Sequence, residues 1–394
     1  MMLLPHLSRR QVLASAASLV VAPAIAGLFG SAAQGAGMPL GPSMPTHYRF
    51  KLGRFEVTNI LDAGPVLDGP WPIVGQDRPQ SEVEELMRQS LLPERKFRPG
   101  FTPTIVNTGK ELVLFDTGNG ENGFVPRPNG GWLANLLGPA GFAPEQIDVV
   151  VLTHGHADHI GGLIEGGRPL FPNARYATGD VEFNFWSSED RLAAPPSDNE
   201  YVSAKLFARN VVPLAERTSF IKPGSDVVPG IRAVEAYGHT PGHLAFHIES
   251  EGKQLLVWGD CAHHEVASLA YPEWHAFFDM DKAKGAETRQ HIYDMVATDR
   301  LPVAGYHTSF PSLGFVERKD SADSDEAAPL FRDDCAPGFR DDLAPCLVGS
   351  AGDDCCQFIQ ARCQALRGRF RRRLSPLNSM RWALWTNLSS MASA

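Results

Sequence analysis

The chain has 394 residues, of which 43% are hydrophobic and 21% charged, and its formal net charge is −9. This length supports one large core or two domains, and the composition is that of a globular protein rather than a disordered one. The negative net charge argues against a polyanionic partner, so nucleic acid is not expected to bind.

The amino terminus has the pattern of an export signal. The paired arginines Arg9 and Arg10 precede an Ala-rich apolar run from Val12 to Phe29, and small residues follow up to Gly37. This order is typical of a secretory signal, and the arginine pair resembles the twin-arginine type. We therefore predict a signal over 1–36, cleavage near Ala36 and a periplasmic or secreted protein. An ordinary secretory signal and a retained anchor are the alternatives, and the signal is the only expected contact with a membrane.

Two helices are predicted in the first 150 residues. Ser81-Glu82-Val83-Glu84 resembles a capped helix start, and this helix could form a wall or lid of a pocket. A second helix is predicted within residues 131–147, ending near Gly138–Gly141. Between them, the apolar run Leu112–Phe115 predicts a strand that ends at Asp116.

The segment from Thr153 to Leu163 is dense in metal-binding side chains. Three imidazoles and one carboxylate fall within six positions, and they follow the buried strand expected at Val149–Leu152. His and Asp are common ligands of zinc-like ions. Because these four are more than one tetrahedral ion with an open position requires, the spacing favours two metals. Four polar residues scattered on a surface loop are the alternative. The candidate ligands are His154, His156, Asp158 and His159.

This His-x-His-x-Asp-His spacing resembles that of the metallo-β-lactamase superfamily. The pattern of that family continues with a His, an Asp and a last His, each at the end of a strand. Here His239, Asp260 and His307 each follow a short apolar run. A turn histidine, a helix-capping aspartate and competition from His275 or His291 are the respective alternatives. His243 is expected to form structural hydrogen bonds rather than to bind metal.

Within the superfamily the chain is most similar to methyl parathion hydrolase and its exported lactonase relatives, from about Phe55 to about Arg318. This resemblance implies an α+β fold, the αββα sandwich of two mixed sheets flanked by helices. It also suggests that aromatic side chains between His159 and His239 partly wall the substrate pocket, although they could equally be core residues of an inserted helical segment. These aromatics are Phe183, Phe185, Trp186, Tyr201 and Phe207.

The resemblance also implies a division of the ligands between two divalent cations. One cation would be held by His154, His156 and His239, the other by Asp158, His159 and His307, with Asp260 bridging them. Asp158 and Asp260 are thus the candidate catalytic residues as well as ligands. Zinc is the expected metal, with manganese, cobalt or iron as alternatives. Asp116 is expected to orient a ligand imidazole, or else to be a plain turn residue, and His263 and His264 could at most contact ligands from outside.

The implied chemistry is hydrolysis by a hydroxide that bridges the two metals. Antibiotic-degrading members carry Cys at the position of Asp260, so β-lactam cleavage is disfavoured, as is redox chemistry. Ester-type bonds remain, in small-molecule substrates such as organophosphate triesters, lactones or aryl esters. A non-catalytic or crippled metal-binding member is the alternative. The resemblance also leaves a homodimer open.

The predicted hydrolase domain spans 45–318, and the tail 319–394 differs from it in composition. Five of the six cysteines lie in this tail, and from Asp320 onward there are nine arginines and no lysine. A frameshifted product of a GC-rich gene would have this composition. The alternatives are a genuine disordered extension and a disulfide or metal module.

Overall fold

The computed structural model describes residues 45–319 and the backbone of 381–385. The predicted signal, 1–36, lies outside these residues, as does the rest of the predicted tail. Export and tail disorder therefore stay predictions. Within the described residues, no helix combines the length and hydrophobicity needed to cross a bilayer.

The strands are short and lie almost entirely before residue 320. In chain order they are β1 (His47–Leu52), β2 (Phe55–Ile60), β3 (Leu67–Asp68), β4 (Lys96–Phe97), β5 (Thr104–Asn107), β6 (Leu112–Phe115), β7 (Val149–Leu152), β8 (Ile164–Glu165), β9 (Arg168–Pro169), β10 (Arg175–Gly179), β11 (Thr218–Ile221), β12 (Asp226–Val228), β13 (Ile231–Glu235), β14 (Leu244–Ser250), β15 (Lys253–Val257), β16 (Val303–Ala304), β17 (Leu313–Lys319) and β18 (Arg381–Trp385).

Helices connect these strands. They are α1 (Gln80–Gln89), α2 (Leu133–Leu136), α3 (Ala157–Ile160), α4 (Asp180–Trp186), α5 (Glu189–Leu192), α6 (Tyr201–Asn210), α7 (Ala267–Ala270) and α8 (Lys282–Thr298). Both early helices were predicted, but α1 starts from Pro79 without a side-chain cap, so the expected Ser81 cap is wrong. Proline fits the start of a helix because the first N–H groups have no partner within the helix.

Two seven-stranded sheets form the centre of the fold. The first has the order β1-β2-β5-β6-β7-β10-β11 and the second β12-β13-β14-β15-β16-β17-β18. The alternation of side chains along each strand divides the core into layers. Val149 and Val151 of β7 pack with Phe246 and Val257 of the second sheet, whereas Val150 packs with the helices outside the first sheet.

Helices cover both outer faces of this sandwich. Trp186 of α4 and Phe207 of α6 belong to the core outside the first sheet. Ile292 and Val296 of α8 belong to the core outside the second sheet. The predicted αββα architecture is confirmed.

One strand of the second sheet comes from the predicted tail. Strand β18 pairs antiparallel with β17, in a register that places Phe315 opposite Trp385. This pairing covers the edge of the second sheet that β17 would otherwise leave open.

Candidate metal centre

The seven predicted ligands converge where strands of the two sheets end. His154 and His156 follow β7, and helix α3 carries Asp158 and His159. The other three lie beyond strands β13, β15 and β16 of the second sheet: His239, Asp260 and His307. Six of the seven side chains are buried and His307 is half-buried. Ligands anchored at strand ends are held by a rigid scaffold.

Three imidazoles form the first group. His156 Nδ1 lies 3.0 Å from His154 Nε2 and 2.8 Å from His239 Nε2. The third edge of this triangle, between His154 Nε2 and His239 Nε2, is 3.2 Å. Nitrogens bound tetrahedrally to one zinc ion are roughly 3.3 Å apart. The three nitrogens are therefore close to the spacing of a shared ion.

Asp260 lies between this triangle and the second group. Its Oδ2 is 3.2 Å from His239 Nε2 and 3.0 Å from His307 Nε2. Its Oδ1 is 3.1 Å from His159 Nε2. Asp158 Oδ2 completes the second group, 3.3 Å from His307 Nε2 and 3.6 Å from His159 Nε2. One carboxylate thus contacts both groups, as a bridging ligand must.

Two buried atoms at this centre lack a hydrogen-bond partner within the described chain. They are His159 Nε2 and Asp260 Oδ1, which face each other. Such orphaned buried groups are costly unless an ion or water satisfies them. Together with the nitrogen triangle and the all-His/Asp donor set, they fit divalent cations of the zinc type.

Neighbouring charges shift the pKa values of the buried groups at this centre. Burial lowers the pKa of His239 and of His307, but the facing carboxylates outweigh it and raise both pKa values to about 9. Burial raises the pKa of Asp260, but His307, His159 and His239 outweigh it and hold this pKa well below its usual range. The buried carboxylates of Asp158, Asp260 and Asp279 therefore favour nearby positive charge, which protons or metal cations can supply.

Asp116, the predicted orienting residue, contacts a ligand directly. Its Oδ2 lies 2.8 Å from His159 Nδ1. It also accepts hydrogen bonds from the backbone and hydroxyl of Thr153, whose Oγ1 is 3.0 Å from His154 Nδ1. Asp116 has a φ of 59°, an unfavourable angle for a non-glycine residue that the surrounding contacts must maintain.

Two other carboxylates hold ligands but were not predicted. Asp279 Oδ1 lies 3.1 Å from His239 Nδ1, and its other oxygen pairs with the buried guanidinium of Arg289. Glu200 Oε2 lies 3.3 Å from His156 Nε2. Neither residue lies in the His/Asp motif or at the end of a strand, so the sequence pattern used for the ligands does not indicate its role.

A third unpredicted carboxylate, Glu182, joins the two ligand loops. Its Oε1 accepts hydrogen bonds from the Gly155 N–H and the Trp186 indole, each at 2.7 Å. Its Oε2 accepts from the Thr240 hydroxyl at 2.7 Å and the Gly242 N–H at 2.9 Å. Glu182 is fully buried, so it fixes the loop of His154 and His156 against the loop of His239.

The neighbouring histidines have distinct roles. His243 Nδ1 faces the Ala236 carbonyl at 2.9 Å, and its Nε2 accepts the N–H of Asp260 at 3.2 Å, so it forms structural hydrogen bonds. His264 Nδ1 accepts backbone N–H groups at the start of α7. His263 stacks on His307 with ring centroids 5.8 Å apart, and neither of its nitrogens has a hydrogen-bond partner among the described residues.

The aromatics of the insertion are largely core residues. Trp186 and Phe207 are fully buried, and Phe183, Phe185 and Tyr201 pack against the same core. Exposed aromatics near the centre come instead from two loops. Phe124 and Phe278 are 47% and 39% exposed, and their rings stack with centroids 6.4 Å apart. The ring centroids of Phe278 and His263 are 6.3 Å apart, and His263 stacks on the ligand His307, so the pair borders the metal centre.

Comparison with known proteins gives a family match. The model of the metallo-beta-lactamase superfamily matches residues 102–307, which include all seven candidate ligands. A hydroxyacylglutathione hydrolase of Cereibacter sphaeroides is 30% identical over 153 residues, 38% of this chain and 48% of that protein. An N-acyl homoserine lactonase of a Bacillus species is 27% identical over 127 residues, 32% of this chain and 43% of that protein. Each match spans less than half of the relative.

Solved structures match over more of the chain. The crystal structure of the hydrolase AbOPH in the beta lactamase superfamily has a TM-score of 0.65 and 26% identity, covering 71% of this chain and 96% of that one. AidC, a dizinc quorum-quenching lactonase in complex with a product, has a TM-score of 0.63 and 23% identity, covering 69% and 94%. The second likeness shows the shared fold alone.

Proposed function

We propose that this chain, which belongs to the metallo-beta-lactamase superfamily, is a two-cation hydrolase of ester-type bonds in small molecules. The observation that carries the proposal is the position of Asp260. Its two oxygens lie 3.2 Å and 3.1 Å from imidazoles of the two different ligand groups, His239 and His159. This position supports a carboxylate that is shared by two cations.

Two sets of three residues would each hold one cation, and one further residue would contact both cations. His154, His156 and His239 would hold one, Asp158, His159 and His307 the other, and Asp260 would contact both. When bound, the two cations supply Lewis acidity towards the scissile group and acidify the attacking water. The carboxylates of Asp158 and Asp260 balance part of the cationic charge in this buried site.

Ligand types support ester hydrolysis within the superfamily. Asp260 and His159 stand where antibiotic-degrading members often carry Cys and Arg, so β-lactam cleavage is not proposed. The hydroxyacylglutathione hydrolase and the lactonase among the relatives support thioester or ester substrates. We propose lactones, aryl esters and organophosphate triesters as the candidate substrate classes.

The border of the site favours a substrate with an apolar group. Phe124 and Phe278 present partly exposed rings next to His263. An apolar acyl chain or aryl group that covers these rings would leave water on binding. We propose that such a group lies on this pair while the ester-type bond faces the ligands. The substrate is a small molecule, encountered outside the cytoplasm if the proposed signal is used.

Initial rates on two substrates test the proposal. Zinc-loaded protein is assayed with a long-chain N-acyl homoserine lactone and with an aryl phosphotriester, before and after treatment with a chelator. Chelator-sensitive hydrolysis of either supports the function, and the faster one gives the substrate class. Two bound zinc ions per chain without hydrolysis of either would favour a non-catalytic metal-binding member.

A further inference from the structure

His156 differs from the other two imidazoles of its group in the nitrogen that faces the centre. His154 and His239 present Nε2 to the triangle, whereas His156 presents Nδ1. The Nε2 of His156 therefore points away from the triangle. A ligand imidazole is kept in one tautomer when its outer N–H donates to a fixed acceptor. The identity of that acceptor decides how firmly Nδ1 is presented.

The acceptor is supplied by the inserted helical segment. Glu200 Oε2 lies 3.3 Å from His156 Nε2, and the Glu200 side chain is only 20% exposed. Glu200 is the residue immediately before α6, yet its side chain makes no capping hydrogen bond to that helix. Its carboxylate is therefore available to the imidazole instead of being used by the helix.

The backbone of Glu200 is itself fixed. Its N–H donates to Asp198 Oδ1 at 2.8 Å, and Asp198 pairs with Arg191 at 3.0 Å. Helix α6 is also attached to the motif helix, because the Ala157 N–H donates to the Ser203 hydroxyl at 3.3 Å. The carboxylate thus reaches His156 from a segment that packs directly on the metal-binding motif.

We propose that Glu200 is a positioning residue: it accepts the Nε2–H of His156 and so holds Nδ1 towards the cation shared with His154 and His239. The inserted segment, which supplies none of the seven ligands, then tunes one of the two cation sites. This inference rests on the proposed two-cation site. It assigns no contact between Glu200 and substrate.

Zinc affinity tests the proposal independently of turnover. Metal-free wild type, E200A and E200Q are titrated with Zn²⁺ against a chromophoric chelator, which reports both the number of zinc ions and their affinities. Loss of an outer partner of a metal-bound imidazole weakens binding by roughly 10- to 100-fold. We expect this loss for one zinc ion of E200A and wild-type affinity for the other. E200Q keeps an acceptor oxygen and should lose less.

The matched control is E189Q, which removes the same charge from an exposed position on α5 of the same segment. It should bind both zinc ions like wild type. Melting temperatures of all four proteins in chelator establish that α6 still folds.

Two results would overturn the inference: unchanged affinity for both ions in a folded E200A, or an equal loss in E189Q. If wild type itself fails to bind two zinc ions, the proposed function fails. If wild type binds two zinc ions and E200A binds both with the same affinities as wild type, only the inference fails.

Discussion

Asp116 Oδ2 lies 2.8 Å from His159 Nδ1, on the side of the ring opposite the metal centre. The Nε2 of the same ring faces Asp260 Oδ1 at 3.1 Å. A single imidazole therefore connects an orienting carboxylate to the carboxylate shared by both ligand groups. This relationship ties the end of β6 to the end of β15, one strand from each sheet, through one ligand.

Removal of the orienting carboxylate should weaken one cation site. In D116A the His159 ring loses its outer acceptor, and the affinity for the cation held by His159 is expected to fall by roughly 10- to 100-fold. Zinc titration against a chelator measures the change. The control is D226N, which removes the charge of an exposed carboxylate that pairs with Arg232, and it should bind both ions normally. Wild-type zinc affinity in D116A would contradict the assigned role.

Substitution of the shared carboxylate should affect both sites together. D260N keeps the shape of the side chain but replaces one anionic oxygen with an amide nitrogen, which cannot bind a cation. We expect fewer than two zinc ions per chain and a loss of turnover of at least about 100-fold, since the loss of one ligand impairs both sites. Metal analysis with a parallel rate assay checks both quantities. Two tightly bound ions with normal turnover would show that Asp260 is not shared.

The loop-joining carboxylate should matter for folding even without metal. E182A leaves the N–H groups of Gly155 and Gly242 without their buried acceptor, and the Trp186 and Thr240 donors as well. Unsatisfied buried donors cost about 1–3 kcal/mol each, so we expect a loss of at least about 3 kcal/mol. Urea unfolding of E182A and wild type, both in chelator, measures this difference. Equal unfolding free energies would mean that Glu182 does not hold the loops together.

The exposed aromatic pair should act on substrate binding more than on turnover. In F278A an apolar acyl or aryl group loses a ring that it would cover, and we expect KM to rise about tenfold with kcat little changed. F220A removes an aromatic ring of similar exposure on edge strand β11 and serves as the control. Steady-state kinetics with an apolar ester substrate separates the two constants. A fall in kcat at constant KM would place Phe278 at the reacting atoms instead.

Much of this site could be predicted because its ligands are marked locally. His154 to His159 lie in one short motif. The resemblance to the metallo-β-lactamase superfamily then indicates His239, Asp260 and His307, each of which follows a short apolar strand. Asp116 was also predicted, since it directly ends the strand Leu112–Phe115. The αββα architecture follows from the same resemblance, whereas the apolar runs predict individual strands such as Leu112–Phe115 and Val149–Leu152.

Apart from Asp116, the residues that hold the ligands could not be found in this way. Glu182 and Glu200 act through contacts between the insertion and the motif, and Asp279 through a loop that precedes α8. These contacts depend on tertiary packing, which produces no periodic pattern of residue types in the sequence. The same limit applies to the aromatics. Trp186 is buried because α4 packs in the core outside the first sheet, and the exposure of Phe124 and Phe278 depends on how their loops pack.

The most direct test of the account is the hydrolysis rate of metal-free protein as zinc is added back in known equivalents. A centre in which Asp260 joins two cations predicts little activity at first and a plateau at two equivalents of zinc per chain. A plateau at one equivalent would contradict the shared centre, and hydrolysis at full rate without zinc would contradict metal-dependent catalysis altogether.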